Sequence, residues 1–391
     1  MRLIYFIFSP FLTFLYSCSD LQKRVAQIVF VLFFGLFGYC HTFEDTRADS
    51  YRKYESYTGY AAEDYLDIYN DFHAGERKDI YESVLFSTLK MFTDNPHIMM
   101  MFVGLIGGFL YMLVVKRFLM DKRMSYTLPI AILLMFMVIE SNISVMGGIR
   151  NFTAFPLFMY SLIRMMIDNR KIWVIGLLLT PLIHFGYAFA VVATLVIWLI
   201  KIPNSILHYA AILVCTASIF LDTSSYAGVL DMAIGNIEND AIEDRMASYG
   251  EENTDIAFNK SLTTRLVRVN NQIGAIFIVV LLIYLRKNRK VLLTSEYDNK
   301  IYHLLLFFTV VSYAMISFSV VGQRFVYIAM VLLYMLLLNI YQNKPTSAIS
   351  KFIYSMPIVF CIHILWTLYN CYSNTGFEIY YMPLPPLIML Y

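Results

Sequence analysis

The chain has 391 residues, 59% of them hydrophobic and only 15% charged, with a formal net charge of +2 and a mean hydropathy of +0.61. Soluble globular proteins are about 45–50% apolar and about a quarter charged, so composition places this chain in a membrane. A near-neutral balance with scattered basic residues argues against nucleic acid as a partner. The five cysteines, without CxxC or Cys/His spacing, imply neither a disulfide framework nor a metal site.

A membrane-spanning helix needs about 20 mostly apolar residues. The predicted segments, in chain order, are 3–18, 25–40, 97–115, 125–140, 145–163, a divided stretch 172–200, then 205–221, 272–285, 301–320, 322–341 and 352–369. The run after Arg2 also has signal-peptide character. A second apolar stretch comes at once across Lys23 and Arg24, so 3–18 reads as a first membrane helix. Stretch 172–200 is divided near Pro181, His184 and Gly186 because one continuous helix would export the Arg286–Lys290 cluster. Pro and Gly allow such a break where backbone is buried or lines a wet cavity. The reading is an all-α polytopic membrane protein with about twelve segments in a single domain, 1–391, and both termini outside.

Charge placement orients it. Of the 28 acidic residues, 12 fall within 41–95 and 9 within 222–269, whereas the links at 23–24, 116–123, 164–171 and 286–290 are rich in Lys and Arg. Basic short links face the cytoplasm, which puts the two acidic loops, 41–95 and 222–269, outside. In the first loop Tyr51, Tyr54, Tyr57, Tyr60, Tyr65 and Tyr69 recur at helical steps, as interfacial anchors or as a sugar-stacking surface. Residues 79–92 read as an amphipathic helix lying on the membrane surface.

Ionisable groups at membrane depth are costly and mark functional sites. Arg150 comes after Gly147-Gly148-Ile149, Arg324 comes after Gly322-Gln323 at an outer turn, and His184 sits at the break. The topology brings all three to the same external level, where they are expected to line one cavity. Arginine offers a planar fork for phosphate oxygens; headgroup snorkelling is the alternative. His184 is either a general base or hydrogen-bond donor, or a packing residue. No membrane acid is placed to neutralise the arginines except Glu140. Nucleotide-binding, metalloprotease and nucleophile-elbow motifs are absent.

Five blocks carry a resemblance: Asp45-Thr46-Arg47-Ala48-Asp49-Ser50-Tyr51-Arg52-Lys53-Tyr54, Asp79-Ile80-Tyr81-Glu82-Ser83-Val84-Leu85-Phe86, Gly148-Ile149-Arg150-Asn151-Phe152-Thr153-Ala154, Leu182-Ile183-His184-Phe185-Gly186-Tyr187 and Gly322-Gln323-Arg324-Phe325. In this order they resemble the EpsG-like branch of Wzy-type bacterial polysaccharide polymerases. Small residues often come after that family's histidine; here Phe185 does. The resemblance implies a GT-C-like membrane glycosyltransferase of the bacterial cytoplasmic membrane. It would polymerise undecaprenyl-diphosphate-linked oligosaccharide units into O-antigen, capsule or exopolysaccharide, without metal or other cofactor. Arg150 and Arg324 would hold the diphosphate, assisted by Arg47, Arg265 and Arg268, and His184 or Asp49 would accept the hydroxyl proton. Membrane lipid, a chain-length regulator and a flippase are the partners implied. A flippase for the same lipid-linked sugar and a membrane acyltransferase are the competing readings.

Overall fold

The computed structural model describes residues 1–44, 49–119, 127–141, 143–220, 262–315 and 319–391, apart from the side chains of 262–265, 267, 268 and 319–323. The described residues are helical throughout, without strands. Four helices are long and apolar enough to cross a membrane, or five if the helices flanking Phe360 count as one span; shorter apolar helices accompany them. The chain divides into two compact units, Met1–Thr194 with Trp366–Tyr391, and Leu195–Leu365.

The first unit opens with a departure from the sequence expectation. Segment 3–18 forms two helices, α1 (Arg2–Phe8) and α2 (Pro10–Cys18), parted at Ser9. Arg2 reaches Asp20 at 2.9 Å, although a straight helix over this stretch would hold them roughly 25 Å apart. The segment therefore folds back as a hairpin, with Pro10 supplying the preset φ that starts a new helix. The amino terminus therefore lies beside Lys23, not at the opposite end of the segment as a single spanning helix would put it.

Helix α3 (Arg24–Tyr39) then packs antiparallel on the 23-residue α7 (Pro96–Phe118). Glycines permit the approach: a Cβ on Gly38 would collide with the Met100 carbonyl oxygen, and one on Gly104 would collide with that of Phe34. Close backbone contact through small residues is how helices gain packing when lipid is as apolar as their side chains. After α8 (Leu128–Ile139), helix α9 (Ile149–Leu162) lies against α7, with Gly107 beneath the Phe152 ring. Because Gly107 is eleven residues into α7, the start of α9 is recessed by on the order of 15 Å. At the other end of α9, Arg117 and Arg164 share Asp168 at 2.5 and 2.7 Å.

The break expected near Pro181 is present. Helix α10 (Val174–Ile183) stops at His184, whose backbone is extended, and a 3-10 turn leads into α11 (Ala188–Leu199). The close of the chain returns to this unit, where Asn374 bonds both the Thr42 amide and the Ser144 carbonyl at 2.6 Å.

The acidic loop before α7 folds into three helices, α4 (Asp49–Thr58), α5 (Tyr65–His73) and α6 (Tyr81–Lys90). Rather than lying free on the membrane surface, α6 buries Leu85, Phe86 and Leu89, and Ile80 donates its amide to the Leu182 carbonyl of α10 at 3.0 Å. Nor do the tyrosines share one face. Tyr57 is fully buried against Phe86 and donates to the Thr93 carbonyl, whereas Tyr65 and Tyr69 are exposed. Arg77 ties the loop together through Glu63 at 2.6 Å and Asp71 at 2.9 Å.

The second unit contains α12 (Asn204–Phe220), α13 (Leu262–Lys287), α14 (Arg289–Leu292), α15 (Glu296–Ala314), α16 (Ser319–Asn343) and α17 (Ser347–Val359). Ser295 and Asp298 form a reciprocal capping box at the start of α15. The Asn339 side-chain amide of α16 closes on the buried Asp298. The stretch expected to span as 352–369 is broken at Phe360. The 222–269 loop is described only from Leu262 onward.

Candidate active site in the first unit

The recessed start of α9 collects side chains from four places in the sequence. Gly147 and Gly148 bring the chain into α9, and a Cβ on Gly147 would fall 2.6 Å from the Ser50 backbone nitrogen. Only glycine lets the first turn of α4 sit this close. That contact seats the Asp49–Thr58 helix over α9 and aims Lys53 at Glu82, 2.5 Å away. On the opposite side, the bond from Ile80 to Leu182 joins the acidic loop to the end of α10, two residues before His184.

Asp79 stands at the centre. Its side chain is only 4% exposed and accepts from Arg150 Nη1 at 3.0 Å, and His184 Nδ1 lies 4.0 Å from the same oxygen. Arg150 Nε meets Glu82 at 3.3 Å, so Glu82 bridges Arg150 and Lys53. Burial drives the Asp79 carboxyl toward a higher pKa, but the neighbouring His184 imidazole and the charge of Arg150 outweigh it, and the net direction is down. Asp79 is therefore a carboxylate that orients one cation and one imidazole together. Two hydroxyl contacts frame the group: Thr153 donates to the Tyr81 hydroxyl at 3.1 Å, and Tyr187 donates to Asn151 at 3.0 Å.

The acids that meet Arg150 come from outside the expected membrane segments, and Glu140 is not among its ion pairs. Glu140 is buried in the region of Tyr111, and the carboxylates opposite Arg150 come from the loop, as Asp79 and Glu82. Both acids lie within the blocks that carry the resemblance, yet sequence reasoning gives neither a role. The available signal is charge accounting, since a sunken arginine requires an acid and the nearest amphipathic helix begins with two. Arg150 keeps 30% of its side chain exposed, and Nη2 makes no hydrogen bond among the described residues. That nitrogen, at the amino end of a helix, points the site toward anions.

The other expected residues are dispersed. Asp49 is exposed, pairs with Arg52 at 3.9 Å, and lies 4.0 Å from the position a Gly148 Cβ would take. Arg47 lies outside the described residues, as do the side chains of Arg265 and Arg268. Arg324 sits within α16 rather than in a turn, and its Nη1 is buried without a hydrogen-bond partner among the described residues. It belongs to the second unit, whereas Arg150 and His184 belong to the first. Among the described residues no group of three His, Cys, Asp or Glu side chains is placed to hold a metal.

No curated protein and no solved structure matches the chain. The model of the EpsG family matches residues 23–383, which takes in every element of the site. Membership points to a polysaccharide-polymerase type of role and to a glycosyltransferase-like, membrane-embedded protein. The chain belongs to the EpsG family.

Proposed function

We propose that this protein lengthens a polysaccharide by transferring a glycan from a polyprenyl diphosphate carrier to a hydroxyl of a second lipid-linked unit. The transfer takes place at the outer face of a bacterial cytoplasmic membrane. The observation that carries the reading is the convergence of Arg150 and His184 on the single buried carboxylate of Asp79. Asp79 lies on the Nδ1 side of the imidazole, and His184 takes the proton of the acceptor hydroxyl as the oxygen attacks the anomeric carbon. A base oriented by a carboxylate is the recurring solution for activating a neutral hydroxyl. Arg150, turned toward the leaving group, offsets the charge that grows on the diphosphate as the glycosidic bond breaks. Because Glu82 already links Arg150 with Lys53, a phosphate oxygen taking its place would meet two cations at once.

The wider arrangement belongs to the same proposal. It comprises about twelve membrane segments counting the re-entrant hairpin, a GT-C-like organisation, acidic loops outside, and Arg324, Arg47, Arg265 and Arg268 assisting with diphosphate or sugar. The donor already carries its leaving group, so the reaction as written needs neither nucleotide nor metal.

The deciding experiment reconstitutes the full chain with lipid-linked repeat units. Lengthened chains appear on the proposed reading. Movement of the intact substrate across the bilayer, without lengthening, would identify a flippase, and transfer of an acyl group would identify an acyltransferase.

A further inference from the structure

The second unit carries a pocket of different chemistry. A cavity of about 530 Å³ opens between the start of α12 and the link from α13 to α14. His208 and Tyr302 line its inner part, joined by a 2.9 Å hydrogen bond between imidazole Nδ1 and the phenol oxygen. Arg286, Lys287, Arg289 and Lys290 also line it, and no carboxylate does. None of these four cations forms an ion pair among the described residues. The acids on the next helix are engaged elsewhere, Glu296 with Lys300 at 2.8 Å and Asp298 with Ser295 and Asn339.

Two of the cations are nevertheless held in position. The Arg286 guanidinium lies 4.1 Å over the Tyr209 ring and donates to its hydroxyl at 2.7 Å, and Arg289 donates to Asn299 at 3.1 Å. Four like charges within five residues repel one another, and an arriving anion relieves that cost. Beside the pocket the surface turns apolar. Ile206, Tyr209 and Leu213 form an exposed row on α12, while Ile276, Val280 and Ile283 form one on α13, each at helical spacing and each ending at the pocket. A basic pocket between membrane helices accommodates a phosphate headgroup, and apolar rows beside it suit acyl chains. A free phosphate compound would use only the first of these features.

We infer that this pocket binds the headgroup of an anionic phospholipid from the leaflet on the basic side of the membrane, with the acyl chains along the two apolar rows. The test places the full chain in phosphatidylcholine nanodiscs with or without phosphatidylglycerol and measures retained lipid by mass spectrometry, together with the melting temperature. Phosphatidylglycerol should be retained over phosphatidylcholine and should raise the melting temperature. The Lys287→Gln, Arg289→Gln, Lys290→Gln triple variant should lose about fivefold in retention per cation removed. Loss of basic residues can also disturb insertion, so a second variant, Val291→Glu, leaves every cation in place and puts a carboxylate on the exposed pocket rim. It should lose the preference as well. Equal retention of the two lipids, or undiminished preference in Val291→Glu, overturns the inference. A shift with inorganic phosphate matching that with phosphatidylglycerol overturns it in favour of a free anion.

Discussion

Arg150 and the Arg286–Lys290 cluster are both basic features of helix ends, yet their surroundings are opposite. Arg150 meets two carboxylates delivered by a folded loop, one of them almost fully buried. The cluster in the second unit meets none. An arginine held by buried acids is fixed in direction, and its orientation is what a reaction can use. Cations gathered without acids exert mainly their charge, to which any suitably placed anion responds. Directional sites are sensitive to geometry, and charge sites to the count of charges.

The largest effect expected from this contrast is at Arg150. Arg150→Lys keeps the charge but cannot reach Asp79 and Glu82 with separate nitrogens, and a misplacement of about 1 Å can cost about 100-fold in rate. Long-chain product should fall by at least that factor while the protein still inserts and single repeat units accumulate; normal chain length would remove Arg150 from the mechanism. His184→Gln should lower turnover by roughly 10²–10⁴-fold and abolish the acidic limb of the pH–rate profile. A loss that leaves the profile unchanged would make the histidine a packing residue.

Asp79→Asn leaves the partly exposed Arg150 without its buried partner. Breaking buried pairs costs about 3–5 kcal/mol, and solvent at Arg150 places the expected loss at the low end, measured by denaturant unfolding. Gly147→Ala, which touches neither substrate nor charge, presses a methyl group on Ser50 and should cost about 1–3 kcal/mol, with activity falling as α4 shifts. The lowered Asp79 pKa sets the pH dependence. Its contribution is complete above the ordinary carboxylate value of about 3.9 and is lost only as pH falls through the lower folded value. Acid titration of stability should thus show no Asp79 transition between about pH 5 and 8. The smallest effect is expected at the open pocket, where Arg289→Lys preserves the charge and should change phosphatidylglycerol retention by no more than about twofold.

Some of this architecture is legible in the residues and some is not. The break at His184 can be read because Pro181 and Gly186 flank it and the basic links leave no consistent topology without it. The equivalent break at Ser9–Pro10 is hidden, since its evidence is an ion pair between Arg2 and Asp20 that exists only once the segment folds back. Arg150 and His184 can be singled out by their cost in an apolar segment. Asp79 and Glu82 cannot, because acids in an acidic loop look solvated until the loop is packed on the helix they serve.

By itself the sequence determined the properties that local composition controls: helices, membrane residence, the segregation of acid from base, and which polar residues are expensive where they stand. Tertiary structure alone decided which charges meet. Asp79 reaches Arg150 across 71 residues because Gly147 admits α4 and because Ile80 bonds to Leu182. Neither contact is written in periodicity or charge count, for each depends on the distance between two backbones that only the packed helices set.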